Sequence, residues 1–223
     1  TGADIKQVSL ALGTDSRIGP KFLNSGPGFG GSCFKKDISN LIYICDHYGL
    51  YEVSKYWQKV IDINFWQAER ISNLVVNKLF GNLSNKKISI LGFAFKANTN
   101  DTRESPAIKI CRNLLEEGAN LKIYDPKVAK SQIDKDLGEI INLNKKSEFG
   151  NWIYCDSAKK TFEEADATLI LTEWEEFKFL NWGELASDMR RPSWVFDTRS
   201  IVNLDLAKKA GLKIWSIGNG TLI

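Results

Sequence analysis

Residues 88–96 read Ile-Ser-Ile-Leu-Gly-Phe-Ala-Phe-Lys, a short apolar run with one glycine in it. We predict a buried strand over residues 88–95, because short apolar runs of this length are typical of parallel sheets. The next segment, residues 106–117, has helical periodicity and ends at Gly118, a common helix terminator. A strand followed by a helix predicts an α/β fold for this part of the chain.

The same alternation of apolar runs and helical segments continues to the end of the sequence. Further strands are predicted at residues 121–124, 152–155, 167–171, 194–197 and 213–217. This alternation implies parallel strands joined by crossover helices, as in nucleotide-binding folds. Gly92 is the one glycine of the first apolar run, where a dinucleotide fold needs two or three glycines to seat a pyrophosphate. Residues 130–151 are polar, and we interpret them as an irregular surface excursion.

The chain before residue 85 has a helical pattern instead. Residues 51–80 contain neither glycine nor proline and repeat apolar side chains at helical spacing, which predicts a helix about 45 Å long. This helix is either a simple core helix or a connecting spine that also buries surface against a second subunit. Residues 1–12 read as the later part of another helix. We therefore divide the chain into a helical region, residues 1–84, and an α/β region, residues 85–223.

A single cysteine lies between a glycine-rich loop and a helical segment in residues 26–37, which read Gly-Pro-Gly-Phe-Gly-Gly-Ser-Cys-Phe-Lys-Lys-Asp. Backbone N–H groups at a helix start favour a thiolate, and Lys35 and Lys36 add positive charge near Cys33. Asp37 follows one helical turn later, close enough to position a water molecule or a lysine. Two interpretations stay open on residue types alone: Cys33 is a nucleophile in a ligand-binding loop, or it is a small buried apolar residue beside a turn.

Composition argues against several other classes of protein. A net charge of +3 on 223 residues indicates no nucleic-acid surface, and no run is apolar enough to span a bilayer or patterned as a signal peptide. The four cysteines form no CxxC pair and His47 is the only histidine, so no metal site is predicted. Reduced thiols in a cytoplasmic protein fit this cysteine usage best.

Four sequence motifs occur in the order and spacing of one known family. They are residues 15–23 (DSRIGPKFL), residues 26–37, residues 90–105 with ILGFAFK and DTRES, and residues 196–199 (FDTR). From about Gly2 to Arg199 the chain resembles the UDP-glucose/GDP-mannose dehydrogenase family of nucleotide-sugar dehydrogenases. The resemblance implies a helical central dimerisation region with a long spine helix, followed by a Rossmann-like parallel-sheet UDP-binding domain. It also implies that an NAD-binding Rossmann domain precedes this C-terminal portion, which lacks the main cofactor site and is expected to be inactive alone.

The resemblance implies an activity for the parent protein. The C6 alcohol of UDP-glucose is expected to be oxidised to UDP-glucuronate with two NAD, through a thiohemiacetal and a thioester on Cys33, and Asp37 is expected to hold the hydrolytic water. The substrate could instead be GDP-mannose or a UDP-N-acetylhexosamine, although the N-acetylhexosamine enzymes tend to carry histidine where Ser32 stands here. A further alternative is a non-catalytic nucleotide-sugar-binding or dimerisation module.

Binding residues are also implied by the resemblance. The expected substrate-binding residues are Arg17, Phe22, Leu23, Asn24, Ser25, Gly26, Pro27, Gly28, Phe29, Gly30, Phe95, Lys96 and Arg199. The expected cofactor-binding residues are Cys33, Phe34, Lys35, Lys36 and Arg103. Arg17 is expected to reach the substrate of the neighbouring subunit in a homodimer or larger homo-oligomer. Asn24 stands where the animal enzymes commonly have lysine, which predicts a weaker attraction for the substrate phosphates.

Overall fold

The computed structural model describes residues 2–143 and 149–220 of the chain. It begins with three helices, α1 (Ile5–Gly13), α2 (Phe34–His47) and α3 (Tyr51–Lys78). The predicted long helix is confirmed, since α3 has 28 residues and is therefore about 42 Å long. Among the residues that the structure describes, no helix is both long and apolar enough to cross a bilayer.

The first helix has a defined start within the chain. The carboxylate of Asp4 accepts hydrogen bonds from the backbone N–H groups of Lys6 (2.7 Å) and Gln7 (3.4 Å), which caps α1. The prediction that residues 1–12 are the later part of a helix is therefore wrong. The N–H of Ile5 also donates to the carbonyl of Gly218 (2.7 Å), so the start of α1 is fixed beside the end of the last strand.

Within the described residues, six strands form one sheet in which all neighbouring strands are parallel. They are β1 (Lys87–Leu91), β2 (Asn120–Tyr124), β3 (Trp152–Tyr154), β4 (Ala167–Ile170), β5 (Trp194–Asp197) and β6 (Lys213–Ser216). Their order is β3-β2-β1-β4-β5-β6, and the predicted parallel α/β fold is confirmed. The chain reverses its direction of winding between β1 and β4, which is where open α/β sheets form a ligand crevice at the carboxyl ends of the strands.

At least one helix connects each strand to the next strand along the chain. These helices are α4 (Pro106–Glu116), α5 (Lys130–Leu143), α6 (Ala158–Phe162), α7 (Glu175–Lys178), α8 (Trp182–Asp188) and α9 (Leu204–Lys209). The prediction of irregular structure over residues 130–151 is wrong for the part that forms α5. Ile133 and Leu137, one turn apart, are buried, and the polar residues between them face solvent or are half-buried. Residues 144–148 lie outside the described residues.

One hydrophobic core joins the two regions of the chain. The second half of α3 contributes the buried side chains of Ala68, Ile71, Leu74 and Val75 to the same core as the sheet, and Leu79, which follows the helix, adds a fifth. β1 and β4 are almost entirely buried within that core. The loop between α1 and α2, which carries Cys33, is therefore held by α3 on one side and by the sheet on the other.

The first strand is shorter than the sequence predicts. β1 ends at Leu91, because Gly92 has a φ of +88° and turns the chain out of the sheet. A Cβ at Gly92 would lie 2.4 Å from the Cβ of Thr172, so only glycine allows this turn to pass so close to the end of β4. Phe93 and Ala94 stay buried after the turn, which explains why the apolar run continues beyond the strand.

Candidate active site

Cys33 lies at the junction of the glycine-rich loop and α2, and its side chain is exposed. Its carbonyl accepts the N–H of Asp37 (2.8 Å), which closes the first turn of α2. The hydroxyl of Ser32 lies 3.6 Å from the sulfur. Asp37 is exposed one turn further along the same helix. The thiol and the carboxylate are thus both open to solvent at one end of α2.

The glycines before Cys33 allow its loop to pack directly on another loop of the protein. A Cβ at Gly30 would lie 2.5 Å from the carbonyl oxygen of Glu104, and a Cβ at Gly31 would lie 3.0 Å from the ring of Phe95. The N–H of Gly31 donates to the carbonyl of Arg103 (2.8 Å). These contacts dock the cysteine loop onto residues 101–105, at the carboxyl edge of the sheet.

Two amide side chains of α3 hold the other side of the cysteine loop. Asn64 accepts the N–H of Phe29 (2.7 Å) and donates to the carbonyl of the same residue (3.1 Å). Gln67 donates to the carbonyl of Gly26 (3.1 Å). The sequence reasoning missed both residues. The signal that could have found them is a pair of amide side chains three positions apart, which share one face of a helix.

Two of the expected arginines are held by the aspartate of their own turn. Asp15 accepts the backbone N–H (2.9 Å), Nε (3.0 Å) and Nη2 (2.6 Å) of Arg17. Asp101 accepts the same three groups of Arg103 at 2.9, 2.9 and 2.7 Å. In both turns the hydrogen bond from the arginine holds the pKa of the aspartate below its usual value. Both guanidinium groups are exposed, with side-chain exposures of 87% and 68%, and therefore point at solvent in a fixed orientation.

Arg199 is held differently, although it also follows an aspartate by two positions. Asp197 accepts only its backbone N–H (3.0 Å), while Nε donates to the carbonyl of Leu171 (2.8 Å) and Nη2 to the carbonyl of Phe95 (3.2 Å). The side chain is 13% exposed, and burial lowers the pKa of its guanidinium, an effect that the charge of Glu173 opposes. Arg199 therefore joins the ends of β1, β4 and β5 around the switch point of the sheet.

The two residues expected beside Arg199 have different exposures. Phe95 is half-buried with its ring against Gly31, and the ammonium of Lys96 lies 5.5 Å from the centre of that ring. Lys96 is exposed. Both follow β1, so Phe95, Lys96 and Arg199 share the carboxyl edge of the sheet.

Two cavities meet at the loop that runs from α1 toward Cys33. The first, of about 290 Å³, lies between α1 and the sheet edge and is lined by Ile5, Lys6, Ser9, Asn24, Ser25, Glu173, Lys178, Arg199, Ser200 and Ile201. The second, of about 540 Å³, lies between the loop and α3 and is lined by Asn24, Gly26, Gly28, Phe29, Val60, Ile63, Asn64, Trp66, Gln67 and Arg199. Asn24 and Arg199 line both cavities. The structure therefore brings together Asn24, Ser25, Gly26, Gly28, Phe29 and Arg199 of the expected substrate residues.

The other expected substrate residues do not line these two cavities. Phe22 is fully exposed with a φ of +62°, and Arg17 lies beside its own aspartate on the surface. Leu23 is half-buried, and its carbonyl accepts the hydroxyl of Ser9 (2.6 Å). Pro27 is buried in the loop.

The expected cofactor residues near Cys33 make contacts within the protein. The ring of Phe34 lies 4.9 Å from the ring of Phe29. The ammonium of Lys35 pairs with Glu104 (2.8 Å), the residue after Arg103. Lys36 is exposed. The ion pair of Lys35 therefore adds a second link between the cysteine loop and the loop of residues 101–105.

A carboxylate already occupies the backbone amides that follow β1. Oδ2 of Asp125, a buried residue after β2, accepts the N–H groups of Phe93 (2.7 Å) and Ala94 (3.0 Å) and the indole N–H of Trp174 (3.0 Å). In a dinucleotide fold the amides after the first strand bind a pyrophosphate. The loop after β1 therefore does not fit the pyrophosphate of NAD. Within residues 2–143 and 149–220, no three His, Cys, Asp or Glu side chains could hold a metal ion.

Fold and site together define an α/β protein with a Rossmann-like parallel sheet and an exposed cysteine whose loop is docked at the carboxyl edge of that sheet. The chain belongs to the UDP-glucose/GDP-mannose dehydrogenase family. The model of the family's central domain matches residues 1–66, and the model of its UDP binding domain matches residues 89–204.

Named relatives agree with this assignment. UDP-glucose 6-dehydrogenase 2 of Arabidopsis thaliana and UDP-glucose 6-dehydrogenase 1 of Glycine max are each 48% identical to the chain, and each alignment covers 98% of the chain and 47% of the relative. A UDP-glucose dehydrogenase from the archaeon Pyrobaculum islandicum has a similar structure, with a TM-score of 0.76 and 28% identity over 99% of this chain and 44% of that one. The chain thus spans about half the length of the relatives it matches.

Proposed function

We propose that this chain is the half of a UDP-glucose 6-dehydrogenase that binds the nucleotide sugar and carries the nucleophile. The observation that carries the proposal is the docking of the exposed Cys33 loop, through Gly30 and Gly31, onto the sheet edge that holds Arg199. A cysteine fixed beside a cationic ligand crevice suits covalent chemistry on the far end of a bound phosphate ester. UDP-glucose is the preferred substrate because the relatives at 48% identity are named for it.

Substrate binding is assigned to the residues around the two cavities. Arg199 would face the diphosphate, with Lys96 adding charge and Phe95 an aromatic face at the same edge. Asn24 and Ser25 offer polar groups in the cavity that Arg199 also lines. The hexose would then extend along the loop of residues 26–30 toward Cys33. Arg17 is fixed by Asp15 on the surface, which suits a role in the site of a neighbouring subunit.

The chemistry proposed for Cys33 has two oxidations. Two NAD molecules, bound in turn by the parent protein, would each take up one hydride, the first from the C6 alcohol and the second from the thiohemiacetal. Between these oxidations the thiolate of Cys33 adds to the aldehyde carbon and forms the C–S bond of the thiohemiacetal. The second oxidation leaves a thioester, which water attacks; the C–S bond breaks, the uronate leaves and the thiolate is restored. Asp37, exposed one turn from Cys33, is placed to hold that water.

The part of the NAD site within this chain would be small. The loop after β1 is closed by Asp125, so NAD is proposed to bind mainly to the part of the parent protein outside this chain. Arg103 would reach the cofactor pyrophosphate, because Asp101 holds its guanidinium outward. Phe34, Lys35 and Lys36 lie beside Cys33, where the nicotinamide end would approach.

A second copy of the chain is the proposed partner. Large apolar side chains are exposed around the turn between α2 and α3 and along α3, including Tyr43, Tyr48, Tyr51, Tyr56, Ile63 and Trp66. A patch of this kind marks a protein interface. Family resemblance favours a homodimer through these helices. We further propose that residues 1–84 and 85–223 act as two domains that α3 joins.

Thiol exposure supports Cys33 as the nucleophile and a cytoplasmic location for the protein. All four cysteines are unpaired, and only Cys33 is exposed. Burial raises the pKa of the thiols of Cys111 and Cys155, so these two form little thiolate and are poor nucleophiles. Unpaired thiols are typical of a reducing compartment.

The test is to count NADH in the full-length parent protein with UDP-glucose and, separately, GDP-mannose. The expected result is two NADH per UDP-glucose, a rate at least about 1,000-fold lower in Cys33→Ser, and little change in the control Cys45→Ala, which alters a buried thiol of the same helix. Turnover of GDP-mannose but not of UDP-glucose would mean that GDP-mannose is the substrate. Full activity of Cys33→Ser, or no reaction with either sugar nucleotide, would contradict the proposal.

A further inference from the structure

The guanidinium of Arg199 has only one acidic partner among the described residues. Its Nη1 lies 3.1 Å from Oε2 of Glu173, the third residue after the end of β4 at Ile170. The remaining contacts of the guanidinium are to the neutral carbonyls of Leu171 and Phe95. Since arginine stays charged when buried, Glu173 supplies the negative charge that this largely buried cation requires.

The contact between Glu173 and Arg199 is electrostatic rather than a directed hydrogen bond. Oε2 of Glu173 is itself buried, yet it makes no hydrogen bond within the described part of the chain. Oε1 accepts the N–H of Ala97 (3.3 Å), which fixes the carboxylate through its other oxygen. The hydrogen bonds to the carbonyls of Leu171 and Phe95 orient the guanidinium, so the contribution of Glu173 is its charge rather than a directed hydrogen bond.

This carboxylate lies in a cavity whose other charged residues are cations. Glu173 and Arg199 line the 290 Å³ cavity together with Lys6 and Lys178. Lys178 forms a separate ion pair with Glu175 (2.6 Å). A nucleoside diphosphate that approaches Arg199 therefore meets the repulsion of Glu173, and it can replace that carboxylate as the counter-ion.

We propose that Glu173 is the built-in counter-ion of Arg199 and that it lowers the affinity of the site for a nucleoside diphosphate. In the empty site the carboxylate compensates the guanidinium. In the bound site the diphosphate takes over that compensation, at the cost of repulsion from the carboxylate that stays beside it. The inference rests on the proposed function for the class of ligand and adds a residue that determines its affinity.

The experiment is calorimetric titration of UDP into the full-length parent protein and its variants. Glu173→Gln removes the charge with little change in size and is expected to bind UDP about tenfold more tightly. Glu173→Asp keeps the charge and is expected to bind within about threefold of the unsubstituted protein. Asp205→Asn is the matched control: it removes one exposed carboxylate from α9, outside the cavity, and is expected to leave the affinity unchanged.

The outcomes separate this inference from the proposed function. UDP binding by the unsubstituted protein, with the same or weaker affinity in Glu173→Gln, would overturn the inference alone. Weaker binding in both Glu173→Gln and Glu173→Asp would make Glu173 a positioning residue instead. No UDP binding by the unsubstituted protein would overturn the proposed function and this inference with it.

Discussion

Asp-Thr-Arg occurs twice at the carboxyl edge of the sheet, at residues 101–103 and at residues 197–199, and the two copies can be compared almost atom for atom. In each copy the aspartate accepts the backbone N–H of the arginine, at 2.9 and 3.0 Å. The central threonine is buried in both. The residue after the arginine has a positive φ in both, +53° at Glu104 and +54° at Ser200. The backbone of the turn is thus a property of the local sequence.

The side chains of the two turns nevertheless have opposite surroundings. Arg103 folds back on Asp101 and stays 68% exposed, whereas Arg199 leaves Asp197 and is 13% exposed among the ends of three strands. The difference comes from position, because residues 197–199 start at the last residue of β5 and residues 101–103 lie in a longer loop that ends at α4. One local motif therefore gives an exposed, fixed cation in one copy and a largely buried cation at the carboxyl edge of the sheet in the other, and we propose that the two bind different ligands.

Arg199→Leu tests the buried copy and has the largest expected effect. It leaves the carboxylate of Glu173 and two carbonyls without their partner, which is expected to lower the free energy of unfolding by about 3 kcal/mol. Urea denaturation measures this change. UDP affinity is expected to fall about 100-fold, as for the loss of a charged contact to a phosphate. A variant as stable as the original that binds UDP equally well would contradict the role given to the buried turn.

Gly30→Ala tests how the cysteine loop is docked beside the exposed copy. The added methyl would lie 2.5 Å from the carbonyl oxygen of Glu104, so the loop must move, and unfolding is expected to become easier by about 2 kcal/mol with a clear loss of turnover. Gly138→Ala is the control, since nothing lies within 4 Å of a Cβ there. In helix α5 that change is expected to stabilise by about 0.5–1 kcal/mol. Equal effects of the two substitutions in thermal melts would show that the docking contact is unimportant.

Arg103→Leu tests the exposed copy, and its effect on stability is expected to be small. An exposed ion pair contributes little, so the free energy of unfolding is expected to change by less than about 1 kcal/mol. The KM for NAD is expected to rise about tenfold in the full-length parent protein, while UDP affinity stays unchanged. An equal rise in the KM for NAD and in the dissociation constant for UDP would mean that the two arginine turns do not bind different ligands.

The two aspartates are expected to titrate on opposite sides of the ordinary aspartate pKa of 3.8. Chiefly through its hydrogen bond, Arg103 lowers the pKa of Asp101, so the stability that this pair adds is present above pH 3.8 and is lost as the pH falls through the folded-state pKa. Burial raises the pKa of Asp197, so its contribution is present below pH 3.8 and is lost as the pH rises through its folded-state pKa. Carboxyl-carbon NMR would measure both; a shared midpoint would contradict the comparison.

Local patterns predicted much of the fold. The six apolar runs predicted the sheet, and the glycine-free stretch of residues 51–80 predicted α3. Both signals depend only on residues close together in the sequence, because a strand buried on both faces is a continuous apolar run and a helix repeats its apolar residues periodically. The helical part of residues 130–151 was missed because polar residues dominate its first two turns, where Ile133 and Leu137 are the buried side chains among residues 130–138.

Parts of the site that depend on distant contacts were not predictable in this way. The ion pair of Arg199 with Glu173 joins residues after two different strands, and the bonds of Asn64 to Phe29 join a helix to a loop 35 residues away. The same limit applies to Asp125, whose sequence position gives no sign that it closes the amides after β1. Motif resemblance supplied the candidate residues, and the three-dimensional contacts distinguish the buried arginine from the exposed ones.

The most direct test of the account is mass spectrometry of the full-length parent protein, quenched in acid during turnover of UDP-glucose with NAD. The account predicts a peptide containing Cys33 that carries the mass of UDP-glucuronate less one water, together with its absence when NAD is omitted. Steady turnover with no such adduct on Cys33, or the adduct on another residue, would contradict the claim that this loop delivers the nucleophile to the crevice.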